Sequence, residues 1–431
     1  MREVAATAPR YAWFDRAALA FFSAAALVGV FLRTKYVFPH FLDSLKFGNL
    51  LHAHSHTMFF GWVTLALCGA IYRELARLRG APLDGRRLVP LQWWGTLLAS
   101  AGALVSFSLS GYSPLSIALA TVNMVLWYAA VAVIWRNTPQ DRPVWGGFYR
   151  AAAFYLALST FGTWLLTVLQ VTGHAGTPLW STAPVYFYLS NFIDGWAVLG
   201  VIGLLYQMAA PLPADRGYSL PLAERQLRWQ AALTLPAYLH YLSGLQLPLA
   251  LRLSGAAATA LLLLPALMMA YNLRGLFRPM SDRDVRRAGG PIALLLLRSA
   301  VIYFLVKAVS EAVSVLPGLD RLVYGAGGRQ WVVLGLHATL FGLVSLALMA
   351  EGVRRVHRGY ALRLATSGVL AGLAAMLAFL LAAASGPVVP ALAAHYRLWF
   401  EGAWLASLLL WASVTLFATL AWRERDHRMM E

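Results

Sequence analysis

Long apolar segments separated by short polar loops alternate along the whole sequence. Many of these segments reach the roughly 20 apolar residues that a helix needs to cross a bilayer. Because backbone groups in lipid must satisfy their own hydrogen bonds, each segment is predicted to be a helix. We therefore expect an all-α polytopic membrane protein, with residues 1–431 forming a single domain of twelve spans. The predicted spans are 13–33, 49–72, 90–109, 114–135, 147–171, 184–208, 229–250, 256–273, 291–315, 331–350, 361–384 and 397–421.

Composition excludes a soluble protein, since 60% of the residues are hydrophobic and only 12% are charged. The net charge of +17 would suggest nucleic acid binding in a soluble domain. Here the arginines fall between apolar segments, so membrane lipid is the expected partner and nucleic acid is not. Cys68 is the only cysteine, which excludes an internal disulfide and a thiolate metal cluster.

Basic residues concentrate in every second loop, beginning with the loop after the second span, whereas a loop such as "SGYSP" has no charge. The loop 34–48, with two lysines, is the exception. The positive-inside rule then places the basic loops and both termini in the cytoplasm, with the chain in a bacterial inner membrane. The first apolar segment has no small-residue cleavage site and is expected to be retained as a span. No short repeat is apparent.

This orientation gathers the ionisable residues of the spans in the outer half of the bilayer. They are His54, Asp194, His240, Lys307, Glu311 and His337. Charged groups in a membrane are costly and indicate a functional site by default. Two structural explanations stay open. His240 could hydrogen-bond a neighbouring helix, and Lys307 and Glu311, four residues apart, could form an ion pair on one helix face.

The stretch "HAHSH" in the second span holds His52, His54 and His56. His52 and His56 share a helix face, whereas His54 points about 200° away from His52. The three side chains therefore cannot serve one ligand. One face can take a heme, and the other a propionate, a metal or another helix. His54 and His337, at matching depth on separate helices, form the pair that a bis-histidine heme requires.

Two motifs resemble the subunit I superfamily of heme-copper oxidases and nitric oxide reductases. "AHSHTMFFGW" is similar to the helix II pattern, in which a methionine follows the heme histidine by four residues, and "VVLGLHATLFGLV" is similar to the helix X pattern. The resemblance implies a twelve-helix bundle in which His54 and His337 hold a low-spin heme b, with Met58 as the trailing methionine. Trp62 is expected to pack against the porphyrin, and Arg397 to pair with a propionate.

The sequence also departs from the superfamily pattern. The proximal histidine of the high-spin heme falls on Gly335, and the helix VI copper ligand is replaced by the alternatives Asn191 and Asp194. The histidine pair of helix VII is reduced to His240, next to Tyr241. The resemblance therefore implies a divergent member that lacks most ligands of the high-spin heme and of copper.

Enough nitrogen and oxygen donors remain for one rebuilt centre, so a second heme, copper or non-heme iron stays open. The donors besides the two heme histidines are His52, His56, His240, Asp194, Glu311 and Lys307. The expected function is electron transfer or chemistry on O2 or NO, as an oxidoreductase resembling an oxidase or nitric oxide reductase. A cytochrome c or cupredoxin-like electron donor or a partner subunit would fit. The alternative is a non-enzymatic protein for heme or copper handling or for transport.

Overall fold

The computed structural model describes residues 11–85, 87–139, 141, 143–213, 217–325, 327–354 and 359–430. Parts of the predicted basic loops, including Arg86, Arg142 and Arg216, lie outside the described residues. The described ranges are mostly helical and contain no strand. The long helices are α1 (Ala12–Val37), α2 (Phe47–Arg79), α3 (Leu88–Ser110), α4 (Pro114–Asn137), α5 (Val144–Val171), α6 (Pro178–Ala209), α7 (Leu220–Ala237), α8 (Leu249–Asn272), α9 (Pro291–Ser314), α10 (Arg329–Val353), α11 (Tyr360–Ser385) and α12 (Tyr396–Met430).

Within the described ranges, eleven of these helices are long and apolar enough to cross a membrane. The predicted all-α polytopic fold is confirmed. α7 is the helix outside this set, and its first half carries Glu224, Arg225 and Arg228. The count of twelve spans and the orientation of the termini stay predictions.

The predicted span 229–250 is wrong at its end. α7 stops at Ala237, a 3₁₀ turn follows over Tyr238–Leu242, and α8 begins only at Leu249. The cause is proline at both sides of the gap, since proline lacks an N–H donor and its ring collides with the preceding helical turn. Pro236 lies in the last turn of α7, and Pro248 caps α8. His240 and Tyr241 consequently lie on a turn rather than inside a helix.

The chain divides into two compact units. In the first unit, α1 packs against α2 and α12, α2 also contacts α3 and α4, and α11 packs on α12. In the second unit, α6 packs against α5 and the end of α7, and α9 contacts α8 and α10. The expectation of one domain stays a prediction.

Three helices change from α-helical to π-helical geometry over eight residues each. These segments are Thr57–Thr64 in α2, Asn191–Val198 in α6 and Ala338–Ser345 in α10. Almost every residue in them is buried. π-Helical turns are rare and are frequent at functional sites. The first follows His56, the second contains Asp194, and the third follows His337.

Each π-helical segment packs an aromatic ring against a glycine. The pairs are Gly61 with Phe21, Gly195 with Tyr155 and Gly342 with Tyr303, the ring coming from the preceding long helix in each case. A Cβ atom at Gly61 or Gly342 would lie 2.5 Å from the ring. Only glycine permits this approach, because no side chain fits between the helix backbone and the ring.

A second contact recurs at the same sequence separation. The Tyr72 hydroxyl donates to Gln92 Oε1 at 2.7 Å, and the Tyr206 hydroxyl donates to Gln226 Oε1 at 2.5 Å. The first pair joins α2 to α3, and the second joins α6 to α7. These contacts of α1–α3 are therefore repeated in α5–α7. This long repeat is not apparent from the sequence, since only scattered positions are identical.

Candidate functional site: two histidines and a buried ion cluster

His54 lies in the last turn of α2 before its π-helical segment, and its ring is held by α1. His54 Nδ1 lies 2.8 Å from the Ala25 carbonyl oxygen. Since a carbonyl only accepts, Nδ1 is the protonated nitrogen and Nε2 carries the lone pair. The ring also lies over Gly29, where a Cβ atom would be 3.1 Å from His54 Cε1. The imidazole is thus fixed in tautomer and direction by a neighbouring helix.

His337 has the same tautomer but is held within its own helix. Its Nδ1 lies 2.7 Å from the carbonyl oxygen of Val333, one turn earlier in α10. The first part of this helix, Arg329–His337, has no buried residue, whereas the π-helical segment after it is almost wholly buried. His337 thus lies at the boundary between the partly exposed and the buried part of α10.

His52 and His56 face α3, whereas His54 faces α1, which confirms the prediction of two faces. The ring centroids of His52 and His56 lie 6.4 Å apart. His56 packs edge-on against Phe107 at 4.3 Å, and His52 packs against Tyr112 at 4.4 Å. Burial raises the pKa of the Tyr112 hydroxyl, in the turn between α3 and α4. His56 Nδ1 is buried without a hydrogen-bond partner among the described residues.

The second unit contains a buried ion cluster, formed by Asp194, Lys307, Glu311 and Tyr241. Lys307 Nζ lies 2.9 Å from Asp194 Oδ1 and 2.6 Å from Glu311 Oε1. The Tyr241 hydroxyl is 2.8 Å from Asp194 Oδ2 and 3.0 Å from Glu311 Oε1, and donates to these carboxylates. The predicted pairing of Lys307 with Glu311 is confirmed, and Asp194 of α6 joins it.

A second layer of polar groups surrounds this cluster. Ser314 donates to the Glu311 carbonyl oxygen at 2.7 Å, so its hydroxyl oxygen accepts from His240 Nε2 at 2.9 Å. The Tyr324 ring packs edge-on against His240 at 5.2 Å. Burial and the nearby Glu311 carboxylate raise the pKa of Tyr324 well above its usual range, so this hydroxyl stays neutral. His240 therefore supports the cluster through Ser314.

The other predicted heme contacts have protein partners. Trp62 stacks on Phe22 with ring centroids 4.2 Å apart, and Met58 is buried. Arg397 is 91% exposed and donates to Glu401 at 2.7 Å. Their roles beside a porphyrin stay predictions. Sequence reasoning missed Arg33 of α1, which lies one helical turn after Gly29, the residue that the His54 ring lies against. An arginine at the end of an apolar span was a usable signal.

The fit to metals differs between the sites. Over the described ranges, no set of three or more His, Cys, Asp or Glu side chains is arranged to hold a metal ion. In the second unit Asp194 and Glu311 do converge, but on Lys307. At Gly335 there is no side chain that could bind the iron of a high-spin heme. At both His54 and His337 the Nδ1–H bonds to a backbone carbonyl and Nε2 carries the lone pair, which is the form of imidazole that can bind heme iron.

Comparison with known proteins agrees with this arrangement of helices. The family described as Cytochrome C and Quinol oxidase polypeptide I matches residues 11–430, which includes both histidine-bearing helices. No curated protein matches the chain. Members of this family are membrane proteins of electron transfer that bind heme and copper and work with other subunits and with cytochrome c or quinol. The resemblance found in the sequence is thereby confirmed, and the chain belongs to the cytochrome c and quinol oxidase polypeptide I family.

Proposed function

We propose that the chain is a divergent member of this family that binds one low-spin heme b through His54 and His337 and transfers electrons in the outer half of the membrane. The observation that carries the proposal is the shared tautomer. Both histidines donate Nδ1–H to a backbone carbonyl, at 2.8 and 2.7 Å. Metal-binding histidines are usually held by this kind of bond, which fixes the ring and raises the basicity of Nε2.

The heme, when bound, supplies reversible one-electron chemistry. The protein's part is to hold and tune it. Ala25 fixes the direction of the His54 ring, and Gly29 lets that ring lie close to α1. Arg33 lies one helical turn after Gly29, and its positive charge on this side of α1 would favour the reduced form, because reduction adds an electron to the site.

Among the described residues, no group of three or more His, Cys, Asp or Glu side chains offers a second metal centre. A high-spin heme has no ligand at Gly335. The carboxylates of Asp194 and Glu311 are bound to Lys307 and Tyr241, and His240 Nε2 is bonded to Ser314. We therefore derive no reaction of O2 or NO at such a centre, and electron transfer is the function that the residues support best.

The test is to purify the full-length protein and record reduced-minus-oxidised optical spectra with a pyridine hemochrome assay. We expect one b-type heme per chain with a sharp low-spin band. His54→Ala and His337→Ala should each abolish that band. His40→Ala is the matched control, because its side chain is 94% exposed and lies 3.4 Å from Asp43. A folded wild-type protein without heme, or a band unchanged in both variants, overturns the proposal.

A further inference from the structure

The ammonium group of Lys307 lies between two carboxylates that come from different helices, Asp194 from α6 and Glu311 from α9. The Tyr241 hydroxyl, from the turn after α7, bridges these two carboxylates. We propose that Lys307 takes the place of a metal ion, so that this chain keeps an oxygen-lined cation site but fills it with its own side chain. The proposal does not depend on heme binding.

The donors are those that a hard divalent cation prefers. Carboxylates projecting inward from facing helices are the usual way in which a helical bundle holds a metal. Carboxylate and other oxygen ligands suit Mg²⁺, Ca²⁺ and Mn²⁺. Here the shared Tyr241 hydroxyl holds both carboxylates towards one point, at 2.8 and 3.0 Å. The arrangement therefore offers a cation two carboxylates held towards one point, and the protein fills that point with Lys307.

Because the carboxylates of Asp194 and Glu311 are buried, a cation between them stabilises their ionised form. The side chain of Lys307 is 9% exposed, that of Asp194 10% and that of Glu311 16%. Water cannot solvate two carboxylates there, and two negative charges joined by one phenol would repel each other strongly in a membrane. Lys307 supplies the compensating charge from the helix that also carries Glu311, one turn away.

Lys307 and a metal ion exclude each other. An ion bound by both carboxylates would lie at the position of Nζ, and its charge would repel the ammonium group. This explains why the carboxylates of α6 and α9 do not form a metal centre although both meet Lys307 Nζ. The chain thus has an ion cluster where its carboxylates could otherwise bind a metal.

The experiment removes the internal cation and asks whether a metal replaces it. Full-length Lys307→Ala is incubated with Mn²⁺ or Zn²⁺, washed, and its metal content is measured by mass spectrometry. We expect about one ion per chain, roughly tenfold above wild type, because both carboxylates remain to bind it. Lys307→Arg keeps the charge and should stay at the wild-type level. The double variant Lys307→Ala/Asp194→Asn loses a ligand and should fall back to that level.

Folding is controlled with the same proteins. Mn²⁺ should raise the Tm of Lys307→Ala, since it binds only the folded state, and should leave the wild-type Tm unchanged. If Lys307→Ala is poorly produced, Mn²⁺ during expression should restore its yield but not that of the double variant. A folded Lys307→Ala that binds no more metal than wild type overturns the proposal. So does a stoichiometric metal in wild type that Asp194→Asn removes. Heme content measured in parallel reports separately on the proposed heme function.

Discussion

His54 Nδ1 lies 2.8 Å from the carbonyl oxygen of Ala25, so one helix fixes the ring that another helix presents. His337 differs, because its Nδ1 bonds to Val333 of its own helix. The Nδ1 bond of His54 therefore depends on how α1 packs against α2, whereas the Nδ1 bond of His337 is made within α10. Substitutions in α1 that move the His54 ring should therefore change the affinity for heme.

Gly29 gives the most direct test of that dependence. Gly29→Val places methyl groups where a Cβ atom alone would already be 3.1 Å from His54 Cε1, so the ring must turn away. We expect heme affinity to fall roughly tenfold, as it does when a ligand's supporting contact is lost. Heme titration of the purified apoprotein measures this. Gly48→Ala is the control, because its Cβ atom would meet nothing within 4 Å. Unchanged affinity in Gly29→Val would show that His54 does not need its present position.

Substitutions in the ion cluster should lower the free energy of unfolding by different amounts. Lys307→Met leaves two buried carboxylates without a cation and should lower the free energy of unfolding by about 3–5 kcal/mol. Asp194→Asn and Glu311→Gln each leave one carboxylate paired with Lys307, so their losses should be clearly smaller. Denaturant unfolding in mild detergent, without added divalent metal, measures all three. Equal losses for the three variants would mean that charge balance does not stabilise this cluster.

Local patterns in the sequence were enough to predict the helices and part of the candidate site. Hydrophobic runs predicted the spans, and helical geometry separated His54 from His52 and His56 and paired Lys307 with Glu311. The bridge that Tyr241 forms between two carboxylates was not predictable in this way. That contact depends on α7 ending at Ala237, so that the turn after it meets α6 and α9. Apolar composition continues through this region and hides the break.

The π-helical segments were also beyond sequence reasoning, because their residues look like ordinary apolar helix. Gly61 shows the reason. It is a single glycine in an apolar run, and its role is visible only once the ring of Phe21 is seen to lie against it. The repeat was hidden in the same way, since Tyr72 and Gln92 matter as a contact rather than as neighbours in sequence.

Because Gly61 packs closely against Phe21, we expect any larger residue at position 61 to lower the stability of the protein. Gly61→Ala should destabilise by about 1–3 kcal/mol, because the new methyl group overlaps the Phe21 ring and the helices must separate. Adding Phe21→Leu should recover part of the loss by removing the colliding ring. Gly352→Ala in α10, where nothing lies within 4 Å, is the control and should be neutral or slightly stabilising. Thermal unfolding of these proteins and of Phe21→Leu alone gives the comparison, and additive losses in the double variant would contradict it.

The tyrosine–glutamine hydrogen bond occurs twice, and we expect the coupling free energy between tyrosine and glutamine to differ between the two copies. Gln92→Leu leaves the buried Tyr72 hydroxyl without the Gln92 acceptor and should cost about 1–3 kcal/mol. Adding Tyr72→Phe removes both partners of that bond and should restore most of the stability, because the group that remains, Cys68 Sγ at 3.4 Å from Gln92 Nε2, is only a weak acceptor. In the other copy, Asn272 Nδ2 also donates to the Tyr206 hydroxyl at 3.2 Å. Removing Tyr206 and Gln226 together therefore leaves this Asn272 donor without that acceptor.

Double-mutant cycles on thermal or denaturant unfolding separate the two copies. We expect the pair Tyr72→Phe/Gln92→Leu to lie close to wild type and the pair Tyr206→Phe/Gln226→Leu to stay destabilised. The difference should disappear when Asn272→Leu is added, apart from the loss of that residue's bonds to Ser219. If both pairs are equally tolerated, the Asn272 contact contributes nothing. The repeat would then be energetically symmetric, although its hydrogen bonding is not.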